Sequence, residues 1–192
     1  MHRHPGTRFL RRYVYREHDG QRGGGSGHDA ALLAGLTVVA DGLEHPWSVG
    51  FLPSGDALIS ERGQALRIVR NALGADAALD PEPVTGFPEL QPATQKGGLH
   101  DIALHPQFSE NRFVYFTFHR APNQTTDRAF PRPAQFVLSV QRATLSETGL
   151  SDVEEIYAGS LQSATGSRMT FGSDGKLYVA TGVNFYDTQA QD

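Results

Sequence analysis

The sequence predicts an all-β protein, and three observations support this fold class. Apolar runs are short and alternate with turn residues, among them 21 glycines and 11 prolines in 192 residues. β-Branched and aromatic residues dominate the strongest run, residues 113–118, which contains neither glycine nor proline. No helical periodicity of normal length is found in the chain. These features are typical of a loop-rich antiparallel fold.

Composition excludes several function classes. The chain has 17 basic and 21 acidic residues and a formal net charge of −4, so it lacks the overall basic character of a nucleic-acid-binding protein. It contains no cysteine, which excludes disulfides, thiolate catalysis and cysteine-based zinc sites. No apolar run approaches the roughly 18 residues that a transmembrane helix requires, so no membrane span is predicted.

The first 30 residues differ from the rest. They are rich in arginine and histidine and end in the glycine-rich run 23–27. We expect residues 1–30 to form a disordered basic leader and residues 31–192 to form the folded domain. A basic tail that contacts phosphate or a membrane is the alternative interpretation, and no clear signal peptide is found.

Short strand candidates separated by turns follow in two groups. Residues 53–56, Pro-Ser-Gly-Asp, predict a tight hairpin turn, whereas residues 71–96 are predicted to be irregular. Residues 102–104 and 112–119 predict a hairpin with a longer loop. The remaining candidates are residues 36–40, 47–52, 57–61, 65–69, 135–142 and 154–157.

An internal repeat organises these candidates. Residues 48–60 have a near copy at residues 168–180, and residues 101–117 follow the same pattern with a longer turn. Such units at intervals near 50 residues predict propeller blades of about four strands each. The chain holds two blades and the start of a third. Because propellers close with roughly four to eight blades and an open wedge exposes strand edges, we expect the N-terminal portion of a longer protein.

Several motifs resemble the soluble sugar dehydrogenases that depend on pyrroloquinoline quinone (PQQ), namely the glucose/sorbosone and aldose sugar dehydrogenases. The motifs are GLEHPWSVGFLPSG at residues 42–55, SERG at 60–63, GGLHDIALHPQF at 97–108 and ENR at 110–112. The resemblance implies a six-bladed β-propeller that binds PQQ near its axis, with calcium assisting, in a periplasmic or secreted protein. It also implies hydride transfer from C1 of an aldose sugar to the quinone, a histidine base and a separate electron acceptor.

The resemblance assigns site residues one by one. Gln95 or Lys96, which precede the glycine pair, and also Arg168 and Asn184 are implied as cofactor contacts. A surface lysine and a structural salt bridge of the arginine are the competing interpretations. Asp101 matches the family's aspartate, although it could also cap the loop turn. No metal ligand is assigned, and the calcium ligands are expected beyond residue 192.

One departure concerns the catalytic base. Ala164 stands where the family has the histidine that accepts a proton, and alanine cannot do this. His100 is a candidate replacement, so His100 and Asp101 are the predicted catalytic residues. Neighbouring residues of a strand point to opposite faces, which favours instead a solvated or hairpin-capping histidine.

The sequence thus predicts PQQ-dependent oxidation of an aldose sugar at C1 by the parent protein. We expect the 192-residue chain to be inactive alone, because it lacks the base and the later blades. The alternative function is a non-catalytic propeller that binds a carbohydrate or protein partner, which the missing histidine favours. A lactonase-type hydrolase would need several metal-binding carboxylates, and these are not evident.

Overall fold

The computed structural model describes residues 11–13, 36–63, 65–88, 97–121, 136–162 and 166–182. Within these ranges the secondary structure is almost entirely β-strand, which confirms the all-β prediction. The strands are β1 Arg11–Tyr13, β2 Leu36–Val38, β3 Pro46–Phe51, β4 Ala57–Glu61, β5 Ala65–Arg70, β6 Ala78–Leu79, β7 Gly98–Leu104, β8 Phe113–Arg120, β9 Phe136–Ser146, β10 Gly149–Gln162, β11 Ser167–Phe171 and β12 Leu177–Thr181. The single helix of the described ranges, α1, is the four-residue turn Phe108–Asn111, so no helix there could cross a bilayer.

The strands form two complete blades and part of a third. Blade 1 is the antiparallel sheet β3-β4-β5-β6, and blade 2 is the antiparallel sheet β7-β8-β9-β10. Blade 3 is represented in the described residues by the hairpin β11-β12. The predicted arrangement of about two blades and the start of a third, a partial six-bladed propeller, is therefore confirmed.

The repeated hairpins share one turn chemistry. In blade 1 the Leu52 N–H donates to the Asp56 carbonyl at 2.8 Å, and Gly55 adopts a positive φ of 91°. In blade 3 the Gly172 N–H donates to the Lys176 carbonyl at 2.9 Å, and Gly175 has a φ of 76°. Glycine adopts this left-handed conformation without the steric cost that a side chain would add. The repeat found in the sequence is thus a structural repeat.

Some boundaries differ from the sequence prediction. Strand β6 lies inside residues 71–96, which were predicted to be irregular, because its two residues extend the ladder of β5. Strand β1 lies inside the predicted leader and pairs with β2, so these three residues are not disordered. The other residues of 1–30 lie outside the described ranges, and the leader stays a prediction for them.

Apolar packing between blades 1 and 2 forms the main core. Leu58 and Ile68 of blade 1 pack with Phe116 and Phe118 of blade 2 in one buried cluster, which also contains Phe108 of α1. A second, smaller cluster lies on blade 1, and its buried members are Ala40, Leu43, Ala57, Ile59, Val69 and Ala72. Blade 2 is thereby fixed against blade 1 on one face and leaves its other face for β11.

Candidate functional site

The first strands of the three blades meet at a buried carboxylate. The Ser48 hydroxyl, from β3, donates to Asp101 Oδ1 at 2.5 Å. The Met169 backbone N–H, from β11, donates to Asp101 Oδ2 at 2.5 Å. Asp101 itself is in β7 and is almost completely buried. One side chain therefore joins β3, β7 and β11 near the middle of each strand.

The same carboxylate binds an exposed cation. Arg168 Nη1 donates to Asp101 Oδ1 at 3.2 Å, which forms an ion pair. The Arg168 side chain is 71% exposed, whereas that of Asp101 is 4% exposed. One edge of the guanidinium is thus anchored in the protein while the rest of the group faces solvent.

Hydroxyl groups of the neighbouring strands support the backbone at His100 and Asp101. The Asp101 N–H donates to Thr117 Oγ1 at 2.9 Å, and the Ser167 hydroxyl donates to the same oxygen at 2.7 Å. The Ser60 hydroxyl donates to the His100 carbonyl at 2.5 Å. These bonds satisfy polar groups that would otherwise be costly to bury.

A β-bulge in β7 brings His100 and Asp101 to one side of the sheet. The register against β8 shifts between Leu99 and Ile102, so the two residues between them share the position opposite Thr117. Leu99 and Ile102 both belong to the apolar core, and His100 and Asp101 turn away from it. The expectation that these neighbours point to opposite faces is therefore wrong, because it assumed a regular strand.

His100 lies inside an aromatic stack. Its ring is 4.6 Å from that of Trp47 with an interplanar angle of 17°, and 4.5 Å from that of His119. Both histidines are fully buried, whereas Trp47 is 41% exposed. The interpretation of His100 as a solvated or hairpin-capping residue is therefore wrong.

The buried stack affects protonation. Burial, with a further contribution from the neighbouring His100, lowers the pKa of His119 from 6.5 to about 4. His119 is consequently neutral at pH 7.

The structure brings together three of the predicted site residues: His100, Asp101 and Arg168. Gln95, Lys96, Ala164 and Asn184 lie outside the described residues, and their predicted positions stay predictions. Within the described ranges no group of three or more histidine and acidic residues is arranged to hold a metal ion.

Sequence reasoning missed most of the residues that hold Asp101. Thr117 and His119 carried a signal, since they alternate with buried phenylalanines in β8 and had to face another protein surface. Ser48 and Ser167 carried no such signal, because a single serine within a strand is common on any surface. Trp47 was predicted only as part of a strand and of a family motif.

Two successive four-stranded antiparallel blades are followed by a hairpin, and a polar cluster joins the first strands of all three. These features define this chain as part of a β-propeller protein with a polar site between its first strands. Residues 43–192 match the family model described as Glucose / Sorbosone dehydrogenase. The chain therefore belongs to the glucose/sorbosone dehydrogenase family, which is a family of oxidoreductase enzymes.

Two curated proteins are similar in sequence to this chain. An uncharacterized protein from Synechocystis sp. is 41% identical over 155 residues, which are 75% of this chain and 34% of the relative. The aldose sugar dehydrogenase YliI from Escherichia coli is 27% identical over 164 residues, covering 85% of this chain and 42% of the relative. The chain thus spans about two fifths or less of the length of these relatives.

Solved structures show the same similarity. A crystal structure of a glucose dehydrogenase matches with a TM-score of 0.62 at 29% identity, covering 80% of this chain and 42% of that chain. The PQQ-bound form of aldose sugar dehydrogenase from Streptomyces coelicolor matches with a TM-score of 0.60, at the same identity and coverage. The second of these neighbours was thus solved with PQQ bound.

Proposed function

We propose that the protein to which this chain belongs oxidises an aldose sugar at C1 with PQQ as its cofactor. Membership of the family over residues 43–192 supports this proposal, as does the PQQ-bound relative. The observation in this chain that carries it is the exposed guanidinium of Arg168, anchored at the start of β11. A periplasmic or secreted location and a separate electron acceptor are part of the same proposal.

The residues present fit the cofactor in part. PQQ is a planar anion with carboxylate groups, and the planar fork of arginine donors matches a carboxylate. We propose Arg168 as one contact, with Gln95, Lys96 and Asn184 as further contacts. When bound, PQQ supplies the acceptor for the hydride that leaves C1 of the sugar. Calcium is proposed as an assisting ion, with ligands beyond residue 192.

The base that accepts the sugar's proton is not supplied by position 164. Ala164 has no proton-accepting group, and the imidazole of His100 is fully buried against Trp47. We therefore propose that the 192-residue chain, when it is alone, binds PQQ but does not oxidise a sugar. Ala164 also favours the second candidate function, a non-catalytic propeller that binds a carbohydrate or protein partner.

Two measurements on the purified chain test the proposed function. PQQ is titrated in the presence of calcium, and binding is followed by the fluorescence of Trp47, the single tryptophan of the chain. Reduction of an electron-accepting dye is then measured with an aldose sugar. We expect binding of PQQ without dye reduction.

The outcomes separate the candidates. No PQQ binding at any concentration would contradict the proposed PQQ contacts of this chain and leave the binding module as its better function. Dye reduction by the wild-type chain would instead show that another group replaces the base at position 164. The Glu154→Gln variant serves as a matched control, because Glu154 pairs with Arg142 on the exposed part of blade 2.

A further inference from the structure

We propose that Asp101 is a positioning residue for Arg168 rather than a catalytic group. Its buried carboxylate holds one edge of the Arg168 guanidinium at the start of β11, so that the other N–H groups face an anionic ligand. The identity of that ligand as PQQ rests on the proposed function. The positioning itself rests on the contacts of Asp101.

Both carboxylate oxygens of Asp101 already bind donors. Oδ1 accepts hydrogen bonds from Ser48 and Arg168, and Oδ2 accepts one from the Met169 N–H. A general base needs an oxygen that reaches the proton it removes. A buried charge instead needs a partner, and Arg168 supplies the opposite charge. The arrangement is therefore suited to holding a cation in place.

The bonds of Asp101 fix the exposed arginine at two points. The ion pair holds the guanidinium, and the bond to Met169 fixes the backbone immediately after Arg168. An exposed arginine normally loses side-chain entropy when it pairs, which makes surface ion pairs weak. Here three strands immobilise Asp101, which accepts the hydrogen bond. Part of the entropy cost of ordering Arg168 is therefore incurred before a ligand binds.

Two substitutions separate positioning from a general structural role. Asp101→Asn retains an oxygen that can accept the Met169 N–H but removes the charge that holds Arg168. Arg168→Met removes the cation and leaves Asp101 in place. The affinity of each variant for PQQ is measured by Trp47 fluorescence, alone and in the double variant.

If Asp101 acts through Arg168, the two effects are not additive. Asp101→Asn then weakens PQQ binding about tenfold in the wild-type background, which is the range of a charge-assisted hydrogen bond. In the Arg168→Met background, Asp101→Asn causes no further loss of affinity for PQQ. An equal loss in both backgrounds would show that Asp101 only supports the fold, and it would overturn the proposal.

A second readout needs no cofactor. Phenylglyoxal modifies exposed guanidinium groups, and peptide mass spectrometry reports the rate at Arg168 separately from other arginines. We expect Asp101→Asn to raise this rate about threefold, in the range of a lost surface ion pair. The matched control Glu154→Gln raises the rate at Arg142 and leaves Arg168 unchanged. An unchanged rate at Arg168 in folded Asp101→Asn protein would overturn the proposal.

The two readouts distinguish failure of this proposal from failure of the proposed function. If the wild-type chain does not bind PQQ, the part of the proposed function that assigns PQQ contacts to this chain fails, and the modification rate alone decides the role of Asp101. If Asp101→Asn does not fold, Arg168→Lys replaces it, since that exposed position tolerates substitution. Arg168→Lys keeps the charge but lacks the fork, so we expect PQQ binding weaker than in the wild type and stronger than in Arg168→Met. Wild-type affinity in Arg168→Lys would overturn the proposal.

Discussion

The two faces of blade 2 arise from alternate residues of the same strands but contain different chemistry. The face toward blade 1 presents Phe116 and Phe118 of β8 to a large apolar cluster. The face toward blade 3 presents Thr117 and His119, which are equally buried but polar. Ser167 of β11 hydrogen-bonds to Thr117, so this second face is also an interface between blades.

The comparison shows that one blade contacts its neighbours by two different physical means. The apolar face is stabilised by removal of hydrocarbon from water, which does not depend on protonation. The polar face is stable only while its hydrogen bonds are satisfied and the buried imidazole of His119 is neutral. Substitutions and pH changes should therefore affect the two faces differently.

The largest expected effect is on the apolar face. Phe116→Ala removes a fully buried ring from the cluster and leaves a cavity, so we expect the free energy of unfolding to fall by about 4 kcal/mol. Urea unfolding followed by Trp47 fluorescence measures this loss. Phe51→Ala is the matched control, because Phe51 is half exposed, and we expect it to cost about 1 kcal/mol. Equal losses would mean that the cluster does not hold blades 1 and 2 together.

The next effect is on the polar face and depends on pH. The pKa of His119 is about 4 in the folded chain, whereas its ordinary value is 6.5, so the unfolded chain binds more protons between these values. The free energy of unfolding should therefore fall by about 3 kcal/mol as the pH falls through this window, and the contribution of His119 should level off below pH 4. Urea unfolding at several pH values measures the slope.

The His119→Phe variant tests whether His119, in the stack with His100, causes this pH dependence of the free energy of unfolding. His119→Phe keeps a ring beside His100 but removes the titrating group, so the slope between pH 6.5 and 4.5 should become smaller. Phe116→Ala, on the opposite face, should keep the wild-type slope while lowering stability at every pH. A wild-type slope in His119→Phe would show that another group, such as His100, is responsible.

The propeller could be predicted from the sequence because its signals are local. The turn that contains Gly55 and the turn that contains Gly175 each specify a hairpin within a few residues. Their recurrence indicated blades, and the structure has these strands in two blades and a third hairpin. The family motifs then identified the kind of propeller.

The site could be predicted only in part, because its geometry is not local. The bulge at His100 and Asp101 depends on the register with β8, which no spacing in β7 reveals. The donors to Asp101 come from Ser48 and Met169, which are 53 and 68 residues away in sequence. A serine hydroxyl and a backbone N–H have no sequence pattern that marks them as partners of a distant carboxylate.

A smaller effect is expected from the polar group at the edge of the apolar face. Arg120 binds Glu155 through two bonds, from Nε at 3.0 Å and from Nη2 at 3.2 Å, and Ser139 also donates to Glu155. Glu155→Gln removes the negative charge next to a largely buried guanidinium. Because Glu155 is partly exposed, we expect the free energy of unfolding to fall by about 2 kcal/mol, which is less than for a fully buried pair. Urea unfolding at pH 7 measures it.

The pH dependence of this pair separates it from His119. Burial raises the pKa of Glu155, but the hydrogen bonds from Arg120 and Ser139 outweigh it, and the pKa lies below 4.5. A carboxyl whose pKa is lowered on folding contributes stability above that value and loses it as the pH falls further. Glu155→Gln should thus reduce the pH dependence below pH 4.5 and leave the slope above it, which His119 causes. Glu154→Gln, which breaks an exposed ion pair, should change neither part of the curve.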